Sequence, residues 1–599
     1  MATYDVIIRN GQVVDGTGAP AVESDVAVKD GLIAAIEPNL AGTAKEEIDA
    51  RGFIVTPGFI DLHTHYDAQA TWDGELNPSA CHGVTTVVMG NCGVGFAPCK
   101  VADRAALIEL MEGVEDIPGT ALHEGIVWEW ETFPEYLAAL ERRHYSMNVA
   151  AQVPHGALRL YAMGRRGAAN EPATAQDIEM MRRIAREAME AGAVAVSTSR
   201  VLEHQSIHGE VVPGTFASEA ELRALAGAVA DAGHGVFQAV PMGAVGSYVT
   251  PNSTAANLQE VELLSRVARS TGAPVVFSLL QTHEAPNAWR EAMAICERAR
   301  ADGARIYPQV AARAPGTLST LDAFHPFYRR KTYIEIAHLP LDERVVRMRR
   351  PQVRSAILSD PDVPTGSDTP VGRRYLTLKR TLAQLYALGA EADYEPPPSR
   401  SLGAQAGDDP AALEARAYDA LLEQEGRALL FGLPMNYAAG DYSAVAEMLR
   451  NPITLSGLGD GGAHVQVICD ASMPTFMLTF WVRDRKRGER LSLEFAVKKQ
   501  TADNAAAYGF IDRGVLAAGM CADINVIDLK NLSLELPVVA ADLPKGGKRL
   551  LQSARGYVAT LVNGVITRRN DVPTGARPGR LIRGRPGAAH TLGAQRAAG

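Results

Sequence analysis

Residues 53–67 read FIVTPGFIDLHTHYD. An apolar run broken by Pro57-Gly58 leads into His63-x-His65. Side chains two apart on a strand share a face, so both imidazoles point the same way. In a closed barrel that direction can be inward at the C-terminal end, where barrel enzymes build their sites. Two convergent imidazoles are half of a zinc site. Two unrelated histidines at a strand end would give the same stretch, so its surroundings decide.

Working outward, the chain alternates. Apolar runs at 84–89 (VTTVVM), 148–153 (NVAAQV), 193–198 (AVAVST), 235–240 (GVFQAV) and 274–280 (PVVFSLL) read as buried parallel strands. Helical stretches lie between them, at 175–191 after Glu171-Pro172 and at 219–232 opened by Ser218. Six or more such units predict an α/β fold closed as a (β/α)8 TIM-like barrel over 58–510. Short strands at 4–10, 25–37, 53–56, 523–529 and 556–567 sit at opposite ends of the chain, the last containing the hairpin signal Asn563-Gly564. They predict a small β-sandwich domain built from both termini, 1–57 with 511–567. Residues 311–450, rich in Arg, Asp and Pro, read as an insertion over the barrel mouth, part helix and part loop. The Gly/Arg/Pro-rich tail 568–599 reads as irregular or flexible.

Composition narrows the function classes. The chain has 599 residues, 47% hydrophobic and 21% charged, as in ordinary globular proteins. A formal net charge of −10 gives no electrostatic reason to bind nucleic acid. No apolar stretch is long enough to span a membrane, and the first residues lack a signal peptide's basic start. The expected location is cytoplasmic. Cys81, Cys92, Cys99, Cys296, Cys469 and Cys521 are too few and scattered for a disulfide framework. A large barrel with an apolar-rich insertion often assembles, so a homo-oligomer is left open.

Two further segments join the first. Residues 454–464, TLSGLGDGGAH, place Asp460 in a Gly-rich turn after a late strand, and 501–528 run TADNAAAYGFIDRGVLAAGMCADINVID. With 53–67, they resemble in order the first barrel strand, the last-strand aspartate and the return to the β domain of the amidohydrolase superfamily. The stretch GVTTVVMGNCGVGFAPC (83–99) is similar to the second barrel strand of its N-acyl-D-amino-acid deacylases. That resemblance implies a metal-dependent hydrolase in which His63, His65, Cys92 and Asp460 hold zinc. No lysine occurs between Lys100 and Lys331, so the carboxylated lysine that bridges two metals in many relatives has no counterpart there. A thiolate suits zinc as its replacement; otherwise Cys92 is a small buried residue.

The resemblance then departs. The deacylases carry two further metal-binding histidines on the next strands, where this chain has apolar residues near Val240 and Leu279. One zinc per chain is therefore expected, with a second metal left open. His283 could reach it from a shifted position. Substrate-contact candidates are His155, Arg159, Arg200, Gln238, Gln281, His283 and His464, with Arg313 a further partner for a substrate carboxylate; Gln238, Gln281 and Gln309 are equally readable as polar fillers of the barrel. His204 and His208 read as exposed. The implied reaction is hydrolysis of a small-molecule amide, an N-acyl amino acid of D type, by metal-activated water with Asp460 as general base. A cyclic amide or imide, lactone or dipeptide on the same site is the alternative. A catalytically inactive scaffold would have no reason to keep His63, His65 and Asp460 together.

Overall fold

The structure is a computed structural model describing residues 3–246, 252–364 and 370–586. Eight parallel strands form its centre: Phe59–Thr64, Val84–Met89, Asn148–Pro154, Ala195–Ser199, Val236–Val240, Val275–Ser278, Ile306–Ala311 and Leu455–Gly457. Each pairs with the next. The bridge Thr64–Gly461 joins last to first, so the sheet closes into the expected barrel.

Alternation along these strands sorts their side chains. Ile60, Leu62, Val88, Ala150, Ala195, Val236, Val276, Tyr307 and Leu455 pack together inside. Neighbours such as Val87, Ala151, Val196, Phe237 and Phe277 join the larger core shared with the helices. Two residues further towards the C-terminal ends, the inward positions carry Gln152, Ser197, Gln238, Ser278 and Gln309, all buried. The barrel is thus apolar at its base and polar beneath its mouth. Both predicted helices form, as Ala175–Glu190 and Glu219–Ala232. Thr174 and Asp177 cap the first reciprocally, and the Ser218 hydroxyl accepts from Glu221 N–H at the second.

Strands from both termini share one nine-stranded sheet. Ile54–Pro57 is its seam, running parallel to Thr3–Val13 and antiparallel to Ile524–Ile527. Val6, Val26, Ile48, Ile524 and Leu561, from strands at both ends of the chain, share a single core. Asn563 and Gly564, with φ of 47° and 78°, turn the hairpin between Tyr557–Val562 and Val565–Arg569.

The insertion between the seventh and eighth strands is more regular than expected. It has its own core around Leu321, Phe327, Tyr333, Leu402 and Tyr418. A three-stranded sheet of Thr317–Ser319, Leu430–Gly432 and Leu385–Ala387 stitches it together. The tail also differs from expectation. Beyond Val572–Pro573 it is irregular but pinned: Gly579 N–H donates to Tyr145 O and Ile582 N–H to Val149 O, along the third barrel strand. Residues 587–599 lie outside the described residues. All six cysteines are free. No described helix is long and apolar enough to cross a membrane.

Candidate active site

Three chain segments converge at the C-terminal mouth. The first barrel strand ends in His63 and His65. The turn after the last strand docks on it: Asp460 N–H donates to His63 O at 3.0 Å, and His65 N–H to Gly461 O at 2.8 Å. Asp460 sits at φ 46°. A Cβ on its neighbour Gly459 would lie 2.4 Å from Asp61 Oδ2, so only glycine permits this approach. The third segment is the loop after the second strand, where Cys92 adopts φ 57°. Gly93 follows at φ 67°, its Cβ position 2.9 Å from Ser199 N. Asp67 Oδ2 accepts from Gly90 N–H, and Asn91 Nδ2 donates to Thr64 O and Val88 O, which locks this loop to the first two strands. A left-handed non-glycine residue held by such contacts is strain of the kind found at functional sites.

The result is a tight donor cluster. Nitrogen and sulfur atoms of His63, His65 and Cys92 lie within 4.8 Å of one another. His63 Nε2 is 3.3 Å from Cys92 Sγ and 3.3 Å from Asp460 Oδ1. His65 Nε2 is 3.7 Å from the same oxygen. Behind them, His63 Nδ1–H donates to Gln309 Oε1 at 3.1 Å, which leaves the Nε2 lone pair facing the cluster. His65 Nδ1 lies 3.3 Å from Glu115 Oε1, and Glu115 Oε2 lies 3.5 Å from His464 Nε2.

Electrostatics say what the cluster wants. The Asp460 carboxyl, one-fifth exposed to the cavity, is pushed up to about 7 by burial. Burial, with Asp460 and Asp67 nearby, drives Glu115 well above the carboxylate range. Cys92 rises well above its usual range by burial and the same acids. His63 falls to about 4 and His65 well below its usual value, both mainly by burial. Both ring nitrogens of His65 are buried without a hydrogen-bond partner, as is Glu115 Oε1. Neutral imidazoles, a thiol and acids crowded together could hold a divalent metal, which would displace the protons that burial favours on the thiol and carboxyls.

A cavity of about 380 Å³ opens above the cluster. His63, Cys92, Asp460 and His464 line its floor, and the insertion forms much of its wall. The other sequence candidates lie outside the cavity lining, most of them tied to partners of their own. His155 and Arg159 share buried Glu221. Arg200 pairs with Glu260, and Arg313 with Asp470 beneath Tyr394. Gln281 binds Pro286 O and Ala438 N–H, and His283 Nε2 meets Leu433 O at 3.0 Å, away from the donor cluster. Gln238 is wholly buried in the polar layer, with both amide atoms unpartnered. His208 is exposed, as expected, but His204 lines the cavity with Nδ1 2.9 Å from Ser199 Oγ. Val240 lines the cavity, whereas Leu279, the other apolar residue singled out in the sequence, is buried in the hydrophobic core.

Sequence reasoning missed Glu115 and the cavity arginines Arg373 and Arg374. A signal for Glu115 existed. Helix Arg104–Glu115 buries Leu107, Ile108, Met111 and Val114, and Glu115 falls on the same stripe. A charged residue inside an apolar stripe is a buried charge in need of partners.

Comparison with known proteins identifies the chain's relatives. Residues 46–568 match the amidohydrolase family. The chain is 35% identical to a D-aminoacylase of Alcaligenes xylosoxydans xylosoxydans over 33% of its own length, a match spanning only 37% of that relative. It is 29% identical to an N-acyl-D-glutamate deacylase of the same organism over 97% of this chain and 96% of the relative. The crystal structure of an N-acyl-D-glutamate deacylase from Bordetella bronchiseptica, complexed with zinc and a phosphonate mimic of the tetrahedral intermediate, superposes with a TM-score of 0.62. It is 26% identical and covers 97% of this chain and 100% of that one.

Proposed function

The chain belongs to the amidohydrolase family, and from that premise we propose that it is a zinc hydrolase that deacylates N-acyl amino acids, D isomers preferred. One observation carries the reading: His63, His65, Cys92 and Asp460 meet at the floor of a cavity at the barrel mouth. With apolar residues near Val240 and Leu279 and a single donor cluster among the described residues, one metal per chain is the stoichiometry this reading favours. Zinc held there supplies Lewis-acid polarisation of the amide carbonyl and a lowered pKa for water.

The chain's own groups do the rest. Asp460 is the acid at the floor that is open to the cavity, so its Oδ atoms can take a proton from the attacking water and return it to the leaving nitrogen. Gln309 fixes the His63 tautomer, and the Glu115 carboxyl lies 3.3 Å from the far nitrogen of His65, placed to orient it. His464 reaches the cavity from the turn that carries Asp460 and can hydrogen-bond substrate. The apolar insertion wall excludes water around the amide.

The test is a panel of N-acyl-D- and N-acyl-L-amino acids offered to zinc-loaded protein, with metal per chain counted on the same sample. Cleavage with about one zinc per chain is expected from a single ligand set. A metal-loaded protein that ignores the whole panel would refute the deacylase reading and direct attention to cyclic amides, lactones and dipeptides.

A further inference from the structure

The two sides of the cavity differ in chemistry. On one side stand Arg373 and Arg374, carried by helix Pro370–Arg380 of the insertion. Arg374 Nη1 lies 2.6 Å from Asp116 Oδ1, next in sequence to Glu115, and both arginines line the cavity with His464. Arg373 donates to Gln205 Oε1, in the loop after the fourth strand. The pair therefore lies beside the donor cluster, tied to the loops of the second and fourth strands. Asp116 holds one edge of the Arg374 guanidinium, whose five N–H donors can serve a second carboxylate at the same time.

The other side is aliphatic. Leu318 and Leu433 come from the insertion's three-stranded sheet and its extension, with Phe324 and Met435 beside them. Val240 and Leu280, at the ends of the fifth and sixth strands, continue this wall across the barrel from His63. A volume of about 380 Å³ lies in the range of pockets that enclose a drug-sized ligand, well beyond an acetyl group.

We infer that the substrate is an amphiphilic N-acyl amino acid with a medium-length aliphatic acyl chain. Its carboxylate is held by Arg374 and Arg373, and its acyl chain lies in the chamber walled by the insertion. The inference rests on the hydrolase reading above and specifies it. The amide sits over Asp460. The carboxylate belongs to the amine half of the substrate and goes to the arginine side, so the acyl half faces the aliphatic wall. Water adds to the acyl carbon as the C–N bond breaks, and the released amine takes the proton; the products are a fatty acid and a free amino acid.

The test uses zinc-loaded full-length protein and N-acylglycines and N-acyl-D-alanines with chains of two to twelve carbons. N-acetyl-phenylalanine and N-decanoyl-ethylamine are the comparisons. We expect kcat/KM to rise about two- to fourfold per added methylene until the chamber is full. N-decanoylglycine should exceed both comparison compounds by tenfold or more. Arg374→Gln should cut the preference for N-decanoylglycine over N-decanoyl-ethylamine at least tenfold. Calorimetric binding of decanoate, which has chain and carboxylate but no amide, reads the chamber without catalysis. Activity highest on acetyl substrates, or N-acetyl-phenylalanine ahead of N-decanoylglycine, would overturn the inference and leave the hydrolase reading intact. Decanoate bound with no acyl amino acid cleaved would overturn the hydrolase reading instead.

Discussion

Glu115 makes two opposite demands on the protein, and a single substitution separates them. Its carboxylate is 1% exposed, its Oε1 has no hydrogen-bond partner, and it lies 3.3 Å from His65 Nδ1. With no metal bound, burial and the neighbouring acids hold its pKa well above the ordinary value. A carboxyl whose folded pKa is raised contributes stability below its unfolded pKa, about 4.3, and loses it as pH rises. At neutral pH the metal-free protein therefore carries a penalty at this position. Glu115→Gln removes the charge and keeps the shape. It should stabilise the metal-free fold by about 1–3 kcal/mol, the cost of a buried unsatisfied polar group. The metal should move the other way. An outer carboxylate that orients a ligating histidine and raises its basicity is worth about 10- to 100-fold in affinity, or roughly 1.4–2.7 kcal/mol. The amide oxygen of Gln keeps an acceptor facing His65 Nδ1, so Glu115→Gln should fall near the lower end and Glu115→Ala near the upper. The assay pairs urea unfolding of the metal-free proteins at pH 7 with competition against a chromogenic chelator for zinc. If both variants bind zinc as tightly as wild type while remaining folded, Glu115 does not act on the metal centre.

Three other substitutions probe separate parts of the structure. Asp460→Asn should lower kcat by about 10²- to 10⁴-fold, the worth of a general acid–base group, with zinc content largely retained; full turnover would remove Asp460 from the proton path. Cys92→Ala should raise the zinc dissociation constant at least tenfold, because the softest donor is lost, whereas unchanged retention on dialysis against chelator would make Cys92 a packing residue. His82 is a pH probe far from the cavity: fully buried, bonded to Thr475 Oγ1 and Gln552 O, and pushed down to about 3 by burial. Its folded pKa is lowered, so its contribution is complete above about 6.5 and declines as pH falls towards 3; between pH 7 and 5 wild type should lose about 2 kcal/mol that His82→Asn does not. Parallel stability curves for the two proteins would contradict this.

The residues that could be read in advance are those whose meaning is local. His63 and His65 declare a shared face by their spacing, and Asp460 stands out in its Gly-rich turn. The barrel strands are apolar runs of the right length, and the Asn563-Gly564 turn is readable as a dipeptide. What escaped depends on distant partners. Arg159 looked available for substrate because Glu221, its partner, is 62 residues away. Arg200 likewise pairs with Glu260, 60 residues on. Arg373 and Arg374 reach the cavity only because three strands of three residues, too short for any periodicity, stitch the insertion together. His204 was taken for a loop residue, and it is one, but that loop folds back over the mouth.

The seam strand Ile54–Pro57 bears on how the chain is made. Thr56 pairs with Asn525, so one of its two neighbours is synthesised near the end of the chain. At about 5–20 residues per second, the roughly 470 residues between them take about 25–90 s to emerge. Throughout that interval the amino-terminal strands offer an unpaired edge on the ribosome. The first barrel strand, with both histidines, hangs directly from that edge. The molecule should therefore fold late and slowly, with much of its pairing non-local. Expression at lower temperature, or with chaperones that shield strand edges, should raise the soluble yield more than any change to the cavity.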